Sequence, residues 1–534
     1  MSHKTLNKSD WTDKSYQTGQ ALLRYRLEEQ RKAQGQYLTP PTVAHYMAEQ
    51  LGVLKAGGSV LDPAVGAGTL LCAVVDRLIA EGQSTEIWLD GFELDAALAE
   101  TAITILKQAA DQALQYGIHV HTCIFQGDFV LAGLDMLQPS LFNDAPTEQV
   151  RRDYDHVIAN PPYFKVRSGD KRVERGRALV PGHTNIYTLF MSLCSRLLAP
   201  GGIACFIVPR SFCSGAYFAA LRRDFLTETK LHHIHLFESR EDTFNEDDVL
   251  QENVVLTFSH ALTTSPVETI LLSASQGVSD LTASARRPVA IRYIVRDQGK
   301  AIFFRLPVKA QDELVLDIVD GWLGTLHQYG LEVSTGPVVP FRAHPFLLEA
   351  DEPDAVPLLW MQHVRSGEIA WPLVNGNRPK PQWLRVCDDS QSLLVPTANY
   401  VLLRRFSTKE EARRLVAAPL LAKIFSTPTL GLENHLNYIH RPGSVLTLEE
   451  TLGLSALYST ALLDRYFRIS NGNTQVNATE LRALPLPPLI AIQRIGEAIV
   501  GDPSAETEPI VYRMLEEAAC LSSDFSILDS THLI

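Results

Sequence analysis

Between residues 56 and 260, short β-branched and aromatic runs alternate with stretches whose apolar positions recur every three to four residues. That alternation is the pattern of a parallel sheet with helices on both faces. Strands are expected at 59–61, 86–92, 119–125, 156–159, 203–208, 231–236 and 254–258. The clearest helix is expected at 184–199, with Ile186, Leu189, Phe190, Leu193 and Leu197 at helical spacing and Pro200-Gly201-Gly202 as its stop. Past residue 262 the alternation fails, and prolines and aromatics crowd into short segments such as Pro337-Val338-Val339-Pro340-Phe341. Helical patterns return at 408–417 and 447–467.

A chain of 534 residues exceeds one ordinary core. The pattern divides it into a helical extension (1–34), an α/β unit (35–262), a second mixed α/β unit (263–490) and an acidic helical tail (491–534).

Composition narrows the classes. With 46% hydrophobic and 20% charged residues and no long apolar run, the chain reads as soluble and not membrane-spanning. The polar first ten residues lack a secretory core, so a cytoplasmic protein is expected. Its 7 cysteines include no Cys-x-x-Cys pair, which predicts reduced thiols and no structural metal. A net charge of -13 argues against nucleic acid as a partner, because Lys and Arg supply much of the affinity for phosphate. The distribution qualifies that argument: residues 165–177 carry Lys165, Arg167, Lys171, Arg172, Arg175 and Arg177 against Asp170 and Glu174.

In Val60-Leu61-Asp62-Pro63-Ala64-Val65-Gly66-Ala67-Gly68-Thr69 a strand, an acid and a glycine turn directly precede a helix. Such a turn lets backbone approach a nucleotide-like ligand, although the third glycine of a dinucleotide fingerprint is missing. Glu93 and Asp128 end the next two expected strands. Ligands of open α/β sheets bind at the carboxyl ends of strands, so the three acids are expected at one crevice. Glu93 suits two ribose hydroxyls and Asp128 an adenine amino group.

These residues resemble the S-adenosylmethionine-dependent methyltransferases, whose first motif ends Asp/Glu-x-x-x-Gly-x-Gly, matched by Asp62, Gly66 and Gly68. The resemblance implies a Rossmann-like, mostly parallel seven-stranded sheet and S-adenosylmethionine as cofactor, held by Asp62, Ala64, Gly66, Gly68, Glu93, Asp128, Phe129 and Asn160. Upstream, Gly35-Gln36-Tyr37-Leu38-Thr39-Pro40-Pro41 precedes a helical run, with Thr39 suited to the N-cap and Pro40 to the first helical position. In adenine methyltransferases a Tyr-x-Thr-Pro segment closes over the methionine part of the cofactor, which implicates Tyr37, Thr39 and Pro40.

Asn160-Pro161-Pro162-Tyr163 follows an expected strand. A conjugated amino group is a poor nucleophile, and two acceptors that take its protons make its nitrogen more tetrahedral. The Asn160 side-chain oxygen and the Pro161 carbonyl can do this, with both prolines fixing the backbone. The target base must leave the duplex, and Tyr163 is placed to stack on it. The family resemblance implicates Phe258 as the opposite face. The same tetrapeptide occurs in enzymes that methylate protein glutamine or guanine N2 of RNA.

Order decides among them. A Tyr-x-Thr-Pro segment, glycine loop, Asn-Pro-Pro-Tyr and a long C-terminal unit resemble the gamma class of DNA adenine-N6 methyltransferases of type II restriction-modification systems. That implies double-stranded DNA as partner, a cognate endonuclease, catalysis in 35–262 and target recognition in 263–490. Asn471, Asn473 and Gln475, before Leu484-Pro485-Leu486-Pro487-Pro488, resemble the closing segment of such recognition domains. With Lys165, Arg167, Lys171 and Arg172 they are the candidate DNA contacts. The alternative from another class is a DNA-binding protein that keeps the fold without turnover; intact Asp62, Gly66, Gly68 and Asn160 oppose it.

Overall fold

The computed structural model describes residues 10–26, 37–137, 151, 153–167, 169–179, 185–215, 218–238, 252–261, 267–297, 299, 302–373, 380–407, 411–471 and 475–521. The chain divides into two compact units, Met1–Val308 and Lys309–Ile534.

The first unit is built on β1 (Gly58–Asp62), β2 (Thr85–Glu93), β3 (Ile118–Gln126), β4 (Tyr154–Ala159), β5 (Leu198–Pro209), β6 (Thr229–Phe237), β7 (Asn253–His260), β8 (Thr269–Ser275) and β9 (Arg287–Ala290). Their order in the sheet is β3-β2-β1-β4-β5-β7-β6-β8-β9. The first five run parallel, and β7 lies antiparallel between β5 and β6. All seven expected strands are present, but the sheet has nine: β8 pairs parallel with β6, and β9 antiparallel with β8. These two cover what would otherwise be an open edge at β6, and they bury Ile270, Leu272 and Val289. The boundary expected at 262/263 therefore falls at 308/309.

Helices Thr69–Glu81, Ala96–Leu114, Phe129–Leu137 and Ile186–Leu197 link these strands. The first starts at Gly68, whose φ of 97° only glycine adopts at low cost. One face of the sheet packs Ile158, Ile207 and Val255 against Val43 and Met47 of helix Pro41–Glu49 and against helix Thr69–Glu81. Helix Trp11–Arg24 is held to Thr69–Glu81 by Asp76, which accepts from Thr12 N and Oγ1 at 2.9 and 2.6 Å. Helix Pro41–Glu49 begins one residue later than expected: Pro40 is its N-cap and Pro41 its first residue, so the Thr39 hydroxyl caps nothing.

Among the described residues the second unit contains two larger sheets and a two-stranded pairing of Val364–Arg365 with Glu368–Ile369. One has the order Glu332–Thr335, Leu436–His440, Tyr400–Arg404, Ala417–Leu420; the other, of five strands, is centred on Ala355–Leu359. Leu402, Ala418 and Leu436 of the first sheet pack with Leu359, Leu430 and Leu432 of the second in one apolar cluster, and Val356, Leu358 and Leu384 of the five-stranded sheet form another. The helix expected at 408–417 does not form over its described part. Asp464 instead accepts from the N–H groups of Arg414 and Leu415 at 2.5 and 2.8 Å, and Ala417 opens a strand. The helix expected at 447–467 is two, Leu448–Tyr458 and Ala461–Ser470, broken where Thr460 caps the second through Leu463 N. Helices Leu489–Gly501 and Thr507–Glu517 follow. No helix among the described residues is long and apolar enough to cross a membrane.

Candidate active site

The carboxyl ends of β1, β2, β3 and β4 open onto one cavity of about 380 Å³. Of the residues expected to hold a cofactor, Tyr37, Ala64, Gly66, Glu93, Asp128, Phe129 and Asn160 line it; Thr39, Pro40, Asp62 and Gly68 do not. Glu93 Oε2 accepts from Gly66 N at 2.9 Å and its Oε1 from Asp95 N at 2.8 Å, which fixes the carboxylate against the glycine turn. Burial raises the pKa of Glu93, opposed by those bonds. Asp62 acts from behind the wall. Its Oδ1 accepts from Ala64 N at 3.1 Å and shapes the turn, while Oδ2 is buried without a hydrogen-bond partner. Burial, with a smaller push from Glu93, lifts its pKa to about 8. Asp128 Oδ1 accepts from Val130 N and Leu131 N at 2.9 and 3.2 Å.

Phe92, Phe129 and Phe190 form an aromatic wall, with successive ring centroids 5.4 and 5.2 Å apart. Phe190 reads from sequence as a core position of its helix, yet it lines the cavity. Leu94, 65% exposed, and Phe164 line it too. Neither has a sequence signal beyond its place directly after Glu93 or Tyr163.

Asn160 leaves the end of β4. Its Nδ2 donates to Thr39 Oγ1 at 3.0 Å and to the Tyr37 carbonyl at 3.3 Å. Those acceptors set the amide orientation, so Oδ1 faces the Tyr163 hydroxyl at 2.6 Å. The hydroxyl also lies 2.7 Å from the Ile207 carbonyl, and its single proton serves one acceptor at a time. Burial raises the Tyr163 pKa well above its ordinary value, with Tyr187 adding, so the group stays a donor. Pro161 is buried and Pro162 lines the cavity.

Phe258 is not an opposing face for a base. Its ring is fully buried between Phe206 and Phe225, at centroid distances of 5.7 and 4.7 Å, because residues of β7 alternate and Phe258 falls on the face covered by helix Ala219–Glu228.

Among the candidate DNA contacts, Lys165, Arg167 and Lys171 are exposed. Arg172 faces inward: it binds both oxygens of Asp170, at 2.9 and 2.6 Å, and lines the cavity. In the second unit Asn471 is buried at the end of helix Ala461–Ser470, which leaves it poorly placed to read a base. Gln475 is partly buried and bridges Phe406 through the backbone. Asn473 lies outside the described residues.

Comparison with known proteins gives four matches. The family model described as Eco57I restriction-modification methylase matches residues 107–244. The type II methyltransferase M.PstI of Providencia stuartii is 30% identical over 472 residues, covering 88% of this chain and 90% of its own. M.BsuBI of Bacillus subtilis, also a type II methyltransferase, is 32% identical over 490 residues, covering 91% and 93%. Among solved structures, a DrdV–DNA complex matches with a TM-score of 0.52 at 13% identity, over 93% of this chain and 60% of that one, a likeness of fold.

Proposed function

This chain belongs to the type II methyltransferases of restriction-modification systems, and we propose that it methylates N6 of an adenine turned out of duplex DNA, with S-adenosylmethionine as donor. The observation that carries the reading is the oriented Asn160 amide. Thr39 and Tyr37 take its N–H groups, and its oxygen is left facing Tyr163 beside Pro161.

The cavity fits the donor. Its volume is within the ~300–1,000 Å³ common for small-molecule sites, and Glu93 and Asp128 offer carboxylate oxygens to hydroxyl and amino groups. Phe129 and Phe190 supply apolar walls for a purine. When bound, S-adenosylmethionine supplies an electrophilic methyl group.

The protein's own residues prepare the acceptor. Asn160 Oδ1 and the Pro161 carbonyl each accept a hydrogen bond from one N6–H, which withdraws the nitrogen lone pair from ring conjugation. The fixed φ of Pro161 and Pro162 keeps the carbonyl from turning away. The Tyr163 O–H can rotate to donate to Ile207 O, leaving the Asn160 oxygen open to the base. The Tyr163 ring holds one face of the base. Positioning and preorganised acceptors thus do the work, and no prior deprotonation is needed because the proton departs after transfer.

We assign target recognition to the second unit and a protective role against a cognate endonuclease to the whole chain. Expression in a methylation-deficient host, followed by mapping of modified bases, tests this reading. It predicts N6-methyladenine confined to one sequence motif; an unmodified genome would contradict it.

A further inference from the structure

Phe164 and Arg172 stand in the walls of two hollows. One is the 380 Å³ cavity; the other is an open hollow of about 500 Å³ that Lys165, Arg167, Gly169 and Asp170 also border. The Arg172 guanidinium is held from both sides. Nε and Nη2 make the two bonds to Asp170, while Nη1 lies 3.6 Å from Asp128 Oδ2, and the guanidinium carbon is 5.8 Å from the Phe164 ring centre. At 3.6 Å the Asp128 contact is a loose ion pair, too long for a hydrogen bond.

The two anions differ in what else they can bind. Both Asp170 oxygens are taken by Arg172. Asp128 Oδ1 is taken by backbone N–H groups, so Oδ2 is the oxygen it presents to a ligand in the cavity. On the outer side Lys165 and Arg167 are exposed, and Arg167 has no carboxylate partner among the described residues. A phosphodiester, singly negative and acceptor-only, matches that hollow.

We infer that the outer hollow binds a backbone phosphate of the DNA strand carrying the target base, and that Arg172 couples this contact to occupancy of the cofactor cavity. The inference rests on the function proposed above. An amino group in the cavity that donates to Asp128 Oδ2 competes with Arg172 for that oxygen and weakens the looser of its two ion pairs, so Nη1 becomes more available to the phosphate. Linkage is reciprocal, so DNA tightens cofactor binding by the factor with which the cofactor tightens DNA binding.

The experiment uses the full-length protein, S-adenosylhomocysteine as an unreactive ligand, and a labelled duplex containing the motif mapped above. Dissociation constants for each ligand are measured with and without the other, for wild type, Arg172→Gln and Arg167→Gln. For wild type each ligand tightens the other about fivefold, at the low end of known couplings. Arg172→Gln brings that factor below about twofold. Arg167→Gln weakens the duplex in both states, lowers its salt dependence by about one ion and leaves the factor in place. If Arg172→Gln does not fold, Arg172→Lys, which keeps the charge but not the two-pronged grip, shows the same loss of coupling. An unchanged factor in the Arg172 variant, or no coupling in wild type, overturns the inference. If DNA is methylated normally in either case, the proposed function stands; absence of both DNA binding and methylation in wild type removes both.

Discussion

Asn160 Nδ2 donates to Thr39 Oγ1 at 3.0 Å across 121 residues of sequence, tying the catalytic loop to the segment before helix Pro41–Glu49. The bond decides which end of the amide faces the target nitrogen. Thr39→Val keeps the shape and removes the acceptor. One neutral hydrogen bond contributes about 1 kcal/mol, so the single-turnover rate is expected to fall about five- to tenfold with little change in thermal stability. Thr39→Ser restores it. An unaltered rate in the valine variant would show that Tyr37 alone orients the amide.

Tyr163 and Phe258 separate function from packing. Phe258→Ala empties a buried site between Phe206 and Phe225 and is expected to cost about 3–5 kcal/mol of stability. Tyr163→Ala, in a ring only partly buried, acts on base capture. With 2-aminopurine at the target position, its fluorescence on binding should differ from wild type for the Tyr163 variant. Any Phe258 variant that folds should keep the wild-type signal. Loss of signal only in the Phe258 variant would return that ring to the pocket.

Acid should destabilise the first unit. Burial pushes the pKa of His233 to about 3 and of His235 to about 4, from 6.5 in the unfolded chain, with Arg286 lowering both further and Asp280 opposing it at His235. Gln50, Ser273 and Ser275 bond the two rings, and Tyr46 packs on His235. The unfolded state therefore binds more protons below pH 6.5. The stability from these neutral rings is complete above that pH and is lost as pH falls toward 4. Each ring adds a slope of about 1.4 kcal/mol per pH unit inside the window. Urea titrations from pH 6.5 to 4.5 should show His235→Asn flattening the slope by about one proton; an equal slope would mean that the ring titrates normally.

The parts legible in the sequence were those fixed by local chemistry. Strand periodicity followed by Gly66 and Gly68, with an acid at the end of β2 and another just after β3, points to the cavity that Glu93 and Asp128 line. Which face of a strand meets the site is a tertiary matter. Nothing near Phe258 reveals that Phe225 covers it. Residues 408–417 have a helical pattern, but distant Asp464 supplies acceptors for backbone N–H groups that a helix would satisfy internally. Thr39 suits a helix cap by residue type, and only the fold shows its hydroxyl bonded to Asn160. Strands β8 and β9 are not marked in the sequence, because the sheet edge they cover exists only once β6 is placed.

The most direct test of the central claim is nucleoside analysis of DNA incubated with the purified protein and S-adenosylmethionine labelled in the methyl group. The account predicts that the label is recovered as N6-methyldeoxyadenosine. With Asn160→Ala, transfer should fall at least about a hundredfold while S-adenosylhomocysteine still binds. Label in a cytosine product, or undiminished transfer by the Asn160 variant, would contradict it.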